Sequence, residues 1–133
     1  MSGNLADLSA GELLRLFRGK KASPLEAAKD VLARIADLND DVNVFRLIDE
    51  VGTLEDAKQS ERRWFKGEPL GLVDGIPVSV KDVLLTKGWS TLWGSKLTSS
   101  DPESARRSSK NWPTIPMRSC SFPICSSGPL RKH

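Results

Sequence analysis

The residues best suited to chemistry are concentrated in one stretch, Gly71-Leu-Val-Asp-Gly-Ile-Pro-Val-Ser-Val-Lys-Asp-Val-Leu-Leu-Thr-Lys-Gly88. Asp74-Gly75 is turn-forming, and from there Ile76, Val78 and Val80 alternate with Pro77, Ser79 and Lys81 in the period of a strand. Pro77 has no amide hydrogen to donate, so it belongs near a strand start or on an edge. This reading places Lys81 near the strand's end, on the face opposite the aliphatic residues. An ordinary lysine titrates at about 10.4 and is protonated at neutral pH. It serves as a base only where burial disfavours the ammonium form. The alternation alone makes Lys81 a solvated charge.

Other reactive groups are sparse. Ser126-Ser127-Gly128 is a short Ser/Gly string in an irregular tail, and the single histidine, His133, is terminal. A base must be held in geometry, which a chain end does not provide. Cys120 and Cys125 are too few for a disulfide framework, and with one histidine they make no zinc set. No metal and no cofactor is expected.

Three helices must position the strand. Ser9-Ala-Gly-Glu12 has the spacing of a capping box, followed by Leu13, Leu14, Leu16 and Phe17 and a stop at Gly19. Ser23-Pro24-Leu25-Glu26 repeats the device with proline preset at the first helical position. Leu25, Ala28, Leu32 and Ile35 then recur at helical spacing, with Val31 and Leu38 widening the stripe until Asn39-Asp40-Asp41 ends it. Val42 to Ile48 is apolar and β-branched enough for a short strand or extended segment. A third helix is expected from Thr53 to a Gly67 stop, with Leu54, Ala57, Trp64 and Phe65 facing a core.

Composition bounds the rest. The chain has 133 residues, 38% hydrophobic and 28% charged, enough for one modest domain. Its apolar runs fall far short of the roughly 20 residues of a bilayer span. The N-terminus has no basic and apolar leader pattern, so a cytoplasmic setting without a membrane partner is expected. Residues 1–98 carry 14 Lys+Arg and 15 Asp+Glu, whereas residues 99–133 carry six and two. That tail also holds five of the eight prolines and nine serines, without helical or strand periodicity, and reads as irregular. It lacks the aromatic ladder or folded basic face of a nucleic-acid site, so nucleic acid is not an expected partner.

The string Leu-Val-Asp-Gly-Ile-Pro-Val-Ser-Val-Lys-Asp at 72–82, with Gly88, Thr91 and Gly94-Ser95 after it, resembles the amidase signature family. Ser-Pro-Leu-Glu at 23–26 and Gly67-Glu-Pro-Leu-Gly71 extend the resemblance over about residues 5–98. It implies an α/β fold: the N-terminal helices and first strand of an α/β/α architecture around a mixed sheet, here incomplete. It implies hydrolysis of amide bonds by a Ser–cis-Ser–Lys triad, with Lys81 as the triad lysine and a small-molecule amide as substrate. A neutral amine relays a proton from a hydroxyl, the oxygen attacks a carbonyl, and the acyl-enzyme is hydrolysed. Backbone amides of a Gly/Ser-rich loop would hold the oxyanion.

The two serines belong to a Gly-Gly-Ser-Ser-Gly-Gly type segment much further along in the family, and these 133 residues contain none. The resemblance stops near Thr98. A frame change in the coding DNA near residues 99–105 accounts together for the shifts in composition, charge and periodicity. The expectation is therefore residues 1–98 as the N-terminal part of an amidase domain and 99–133 as an irregular tail, disordered or frame-shifted. Such a chain is marginally stable and inactive by itself, with the strand's neighbours lying in missing sequence. Two other readings stand beside it: a glutaminase-type component of an amidotransferase acting on misacylated tRNA, and a non-enzymatic helical interaction module. The substrate and oligomeric state are not legible.

Overall fold

The computed structural model describes residues 4–84, 89–95 and 97, and the backbone of a strand at 123–126. A 3-10 turn at Leu5–Asp7 leads into α1 (Ala10–Arg18) and α2 (Pro24–Val42). There follow β1 (Phe45–Leu47), α3 (Glu50–Lys66), β2 (Val78–Lys81) and β3 (Pro123–Ser126).

Both capping boxes form. Glu12 Oε2 accepts from Ser9 N at 2.8 Å, and Glu26 Oε2 accepts from Ser23 N at 2.8 Å. The serine hydroxyls accept the Glu12 and Glu26 amides in return, so donors with no intrahelical acceptor are satisfied in pairs. α2 runs past Asn39-Asp40-Asp41 to Val42 and closes on Asn43, which takes the left-handed conformation at φ 49°. Those polar residues are compatible with a helix whose core-facing stripe has already ended. Asn39 has a further role: its side chain accepts from Phe45 N at 2.8 Å and donates to Phe45 O at 3.0 Å, fastening β1 to the end of α2.

α3 begins earlier than the Thr53 start expected. Asp49 is its cap, accepting from Gly52 N at 2.9 Å. Its buried face is Thr53, Ala57 and Ser60, with Leu54 and Trp64 partly covered. Phe65, expected inside, is 66% exposed because it lies beside Trp64 and points off the contact stripe.

Ala28 of α2 and Ala57 of α3 meet in one cluster with Leu25 and Leu54, so small side chains set a close approach of the two helices. A second cluster joins Leu13, Phe17, Ala27 and Ile76, with Trp64 against it. The Phe17 and Trp64 rings are 6.0 Å apart and tilted at 58°, within the range of favourable edge-to-face contacts. Ile76 is thus packed under the helices at the entry to β2. Val78, on the same face as buried Val80, is left 37% exposed.

The sheet order is β1-β3-β2, with β3 antiparallel to β1 and parallel to β2. β3 is the one regular element described within the tail that reads as irregular. Four residues are too few to show a period, but Pro123 stands at the first strand position, where a missing amide is tolerated, and Ile124-Cys125 suits a strand. β2 therefore has a neighbour within these 133 residues, where the sequence alone places it in missing sequence.

Candidate active site

β2 is delivered to its place by a turn built around Asp74. Its carboxylate is buried and accepts from Ser60 Oγ at 2.9 Å, Arg63 Nη2 at 2.7 Å, Arg63 Nε at 2.8 Å and Leu70 N at 3.0 Å. Trp64 Nε1 donates to the Asp74 carbonyl at 3.0 Å. Burial by itself raises the carboxyl's proton affinity, but the Arg63, Leu70 and Ser60 hydrogen bonds outweigh it and hold Asp74 below the ordinary carboxyl value. The hydrogen bonds to Asp74 raise Arg63 further above its already high value.

Gly75 follows at φ 86°, a conformation that side chains disfavour. A Cβ there would lie 2.7 Å from Pro24 Cγ and 2.8 Å from Ser60 Oγ. The turn is therefore wedged between the first residue of α2 and the middle of α3, and only glycine fits.

Lys81 is the last residue of β2, exposed, on the opposite pleat from buried Val80. This is the placement the alternation predicts. Its backbone is in register with Ser126 of β3, and its carbonyl accepts from Val83 N at 2.8 Å and Leu84 N at 3.0 Å in the turn that ends the strand. Of the weaker candidates, Ser126 is described only as strand backbone, while Cys120, Ser127, Gly128 and His133 lie outside the described residues, as does Gly88 of the motif.

Beside the exposed lysine is a buried acid. Asp82 is 3% exposed and accepts from Arg46 Nη2 at 3.1 Å and from Leu92 N at 3.2 Å. Arg46 Nη2 also donates to the Ser90 carbonyl at 2.8 Å, and Thr91 Oγ1 donates to the Leu84 carbonyl at 3.3 Å. Arg46 and Arg63 do not stand out in the sequence because each acts on an acid in a different element. No local spacing marks the pairs.

A cleft of about 430 Å³ opens elsewhere, between the α1–α2 turn and the end of α3. Phe17, Lys20, Trp64 and Phe65 are among its walls, and Lys81 is not.

The Amidase family model matches residues 26–106, more than half of the chain, including the turn, β2 and the Arg46–Asp82 pair. The chain belongs to the amidase family. A component protein of the glutamyl-tRNA(Gln) amidotransferase of Salinispora tropica is 42% identical over 94 residues, covering 71% of this chain and 19% of that relative. The chain thus spans about a fifth of the length of the curated relatives it matches.

Among solved structures, a bacterial aryl acylamidase of the amidase signature enzymes superposes with a TM-score of 0.65 at 26% identity. The match covers 91% of this chain and 24% of that one. The crystal structure of another amidase gives 0.70 at 22% identity, over 90% and 27%. The α/β architecture of this amidase-family chain is therefore that of a portion of those enzymes. Among the described residues no helix is long and apolar enough to cross a membrane.

Proposed function

We propose that this amidase-family chain carries the lysine arm of an amide-hydrolysing site, with Lys81 as the amine that relays protons for a pair of serines. The supporting observation is local. Lys81 ends β2 within the motif, its own carbonyl and the next side chain are tied into fixed backbone, and its side chain stands on the exposed pleat.

In that role the amine takes a proton from a bridging hydroxyl, which takes one from the nucleophilic serine. The serine oxygen attacks the amide carbon, the amine leaves with a proton, and water cleaves the acyl ester. The relay requires a neutral amine, hence a Lys81 that further sequence covers and desolvates. Asp82, buried and engaged with backbone, is a positioning group in this reaction.

The Ser-rich segment is absent from these 133 residues, so the chain taken alone has no amidase activity in this reading. Its tail comes from a shifted frame. Translating the surrounding DNA in all three frames tests this: a Gly-Lys-Thr segment and a Gly-Gly-Ser-Ser-Gly-Gly type segment should follow in another frame. Their absence from every frame would sink the proposal. In the frame-restored chain, Lys81→Ala should lower kcat for a simple amide by at least about 100-fold, the low end for a general base.

A second reading is that the amide is the side chain of glutamine and the chain is part of an amidotransferase. It is supported by the Salinispora relative, whose identity of 42% exceeds the 26% of the aryl acylamidase. Comparing glutamine with an aryl acylamide as substrates of the frame-restored chain separates the two.

A further inference from the structure

We propose that Arg46 is a positioning residue for Lys81: by holding the Asp82 carboxylate and the Ser90 carbonyl on one nitrogen, it fixes the backbone at the end of β2. This deepens the amide-hydrolysis reading and rests on it for its catalytic meaning.

The guanidinium joins β1 to two segments that lie 36 and 44 residues further along the chain. Arg46 is the middle residue of β1, Asp82 is the first residue after β2, and Ser90 belongs to the segment beyond the turn. Nη2 lies 3.1 Å from Asp82 Oδ1 and 2.8 Å from Ser90 O. The same Oδ1 accepts from Leu92 N at 3.2 Å, so the carboxylate is gripped from two directions. The side chains are 19% and 4% exposed, which places the pair where solvent screens little.

β1 is itself fastened to α2 through the two Asn39–Phe45 hydrogen bonds. Arg46 thereby transmits the position of the helical layer to the residue next to Lys81. A charge pair that bridges backbone segments gives angular definition that apolar packing at the same place would not. Removing the guanidinium takes the Arg46 cation from a buried carboxylate, and the backbone that carries it must move to find water.

Hydrogen exchange of individual amides in the full 133-residue chain, followed by NMR, is the test. In Arg46→Met the Leu92, Val83 and Leu84 amides should exchange at least about tenfold faster while Leu13 and Ala57 keep their rates, the signature of local opening. Arg46→Lys, which restores a cation without the planar fork, should recover part of the protection. Adding Asp82→Asn to Arg46→Met should produce no further acceleration.

Unchanged exchange at Leu92, Val83 and Leu84, or equal protection in Arg46→Met and Arg46→Lys, would overturn the proposal, since the second outcome assigns the effect to the apolar stem. Uniform acceleration that includes Leu13 and Ala57 would overturn it too, by making Arg46 a general stabiliser. The frame-restored amidase assay with Lys81→Ala judges the hydrolysis reading separately. Failure there removes the catalytic meaning of the clamp, while failure of the exchange test removes the clamp and leaves Lys81 as it was.

Discussion

Arg63 holds Asp74 with two arms of its fork, Nε on Oδ2 at 2.8 Å and Nη2 on Oδ1 at 2.7 Å, and thereby bolts α3 to the turn that launches β2. Asp74's side chain is 2% exposed and Arg63's 27%. The two are therefore unequal: the acid depends on the base for its solvation. Arg63→Met should destabilise the chain by about 3–5 kcal/mol, the range for stripping one partner from a buried pair. Urea denaturation measures it, and a loss below about 1 kcal/mol, typical of surface pairs, would contradict the assignment.

Acid should act through the same carboxylate. Asp74 has its proton affinity depressed in the folded chain, so the unfolded chain binds that proton more readily. Its contribution to stability is present in full above the unfolded carboxyl value, near 3.8, and is lost as pH falls from there through the lower folded value. Thermal melts of wild type and Asp74→Asn should therefore differ most at neutral pH and converge in acid below that window. Curves that run parallel through it would count against the linkage.

Two glycines make a matched comparison. Gly67 and Gly75 both have positive φ, 77° and 86°, but a Cβ at Gly67 meets nothing within 4 Å. Gly67→Ala should lose only the conformational contribution, about 1–2 kcal/mol. Gly75→Ala adds the collision with Pro24 and Ser60 and should lose about 1–3 kcal/mol more, as overpacking does. Equal losses would mean that α2 and α3 yield to the intruding methyl.

Ala57 is fully buried where α3 meets α2. Ala57→Leu should force the helices apart and cost about 1–3 kcal/mol or more. The same change at exposed Ala33 should stay within about 0.5 kcal/mol. Far-UV circular dichroism during a thermal scan distinguishes them.

Lys81 offers a contrasting expectation. It is exposed, and among the described residues its side chain makes no hydrogen bond or ion pair, so Lys81→Ala should leave stability within about 0.5 kcal/mol. A larger loss by urea titration would mean that the side chain supports the fold, and a kinetic defect in this variant could then not be assigned to chemistry alone.

The parts legible in the sequence are those with local grammar. Ser9 with Glu12 and Ser23-Pro24 with Glu26 announce α1 and α2 because a capping box is complete within four residues. The strand expected from Gly75 or Ile76 forms only over Val78–Lys81, because Ile76 is drawn into the helical core before pairing begins, while the pleat of Lys81 follows from alternation. The start of α3 is obscure because Asp49, Thr53 and Asp56 all suit a helix N-terminus, and the choice among them depends on where β1 leaves the chain. Relations between distant residues have no such grammar: Arg46 with Asp82, Arg63 with Asp74, and the seat of Gly75 between Pro24 and Ser60. Each acid or glycine is visible as a local turn or motif residue. Its partner is one arginine, serine or proline among several, selected by the packing of Ala28 on Ala57 and of Ile76 under Phe17.

The placement of β3 between β1 and β2 bears on how the chain assembles. The α2–α3 pair can form while synthesis is still under way, but the middle strand of the sheet is contributed by residues 123–126, late in the translation of these 133 residues. Until they emerge, Phe45–Leu47 and Val78–Lys81 are two bare ribbons with a gap one strand wide between them. Between the synthesis of Lys81 and that of Pro123 the nascent protein thus has adhesive edges displayed, a state in which chaperone capture and self-association compete with folding.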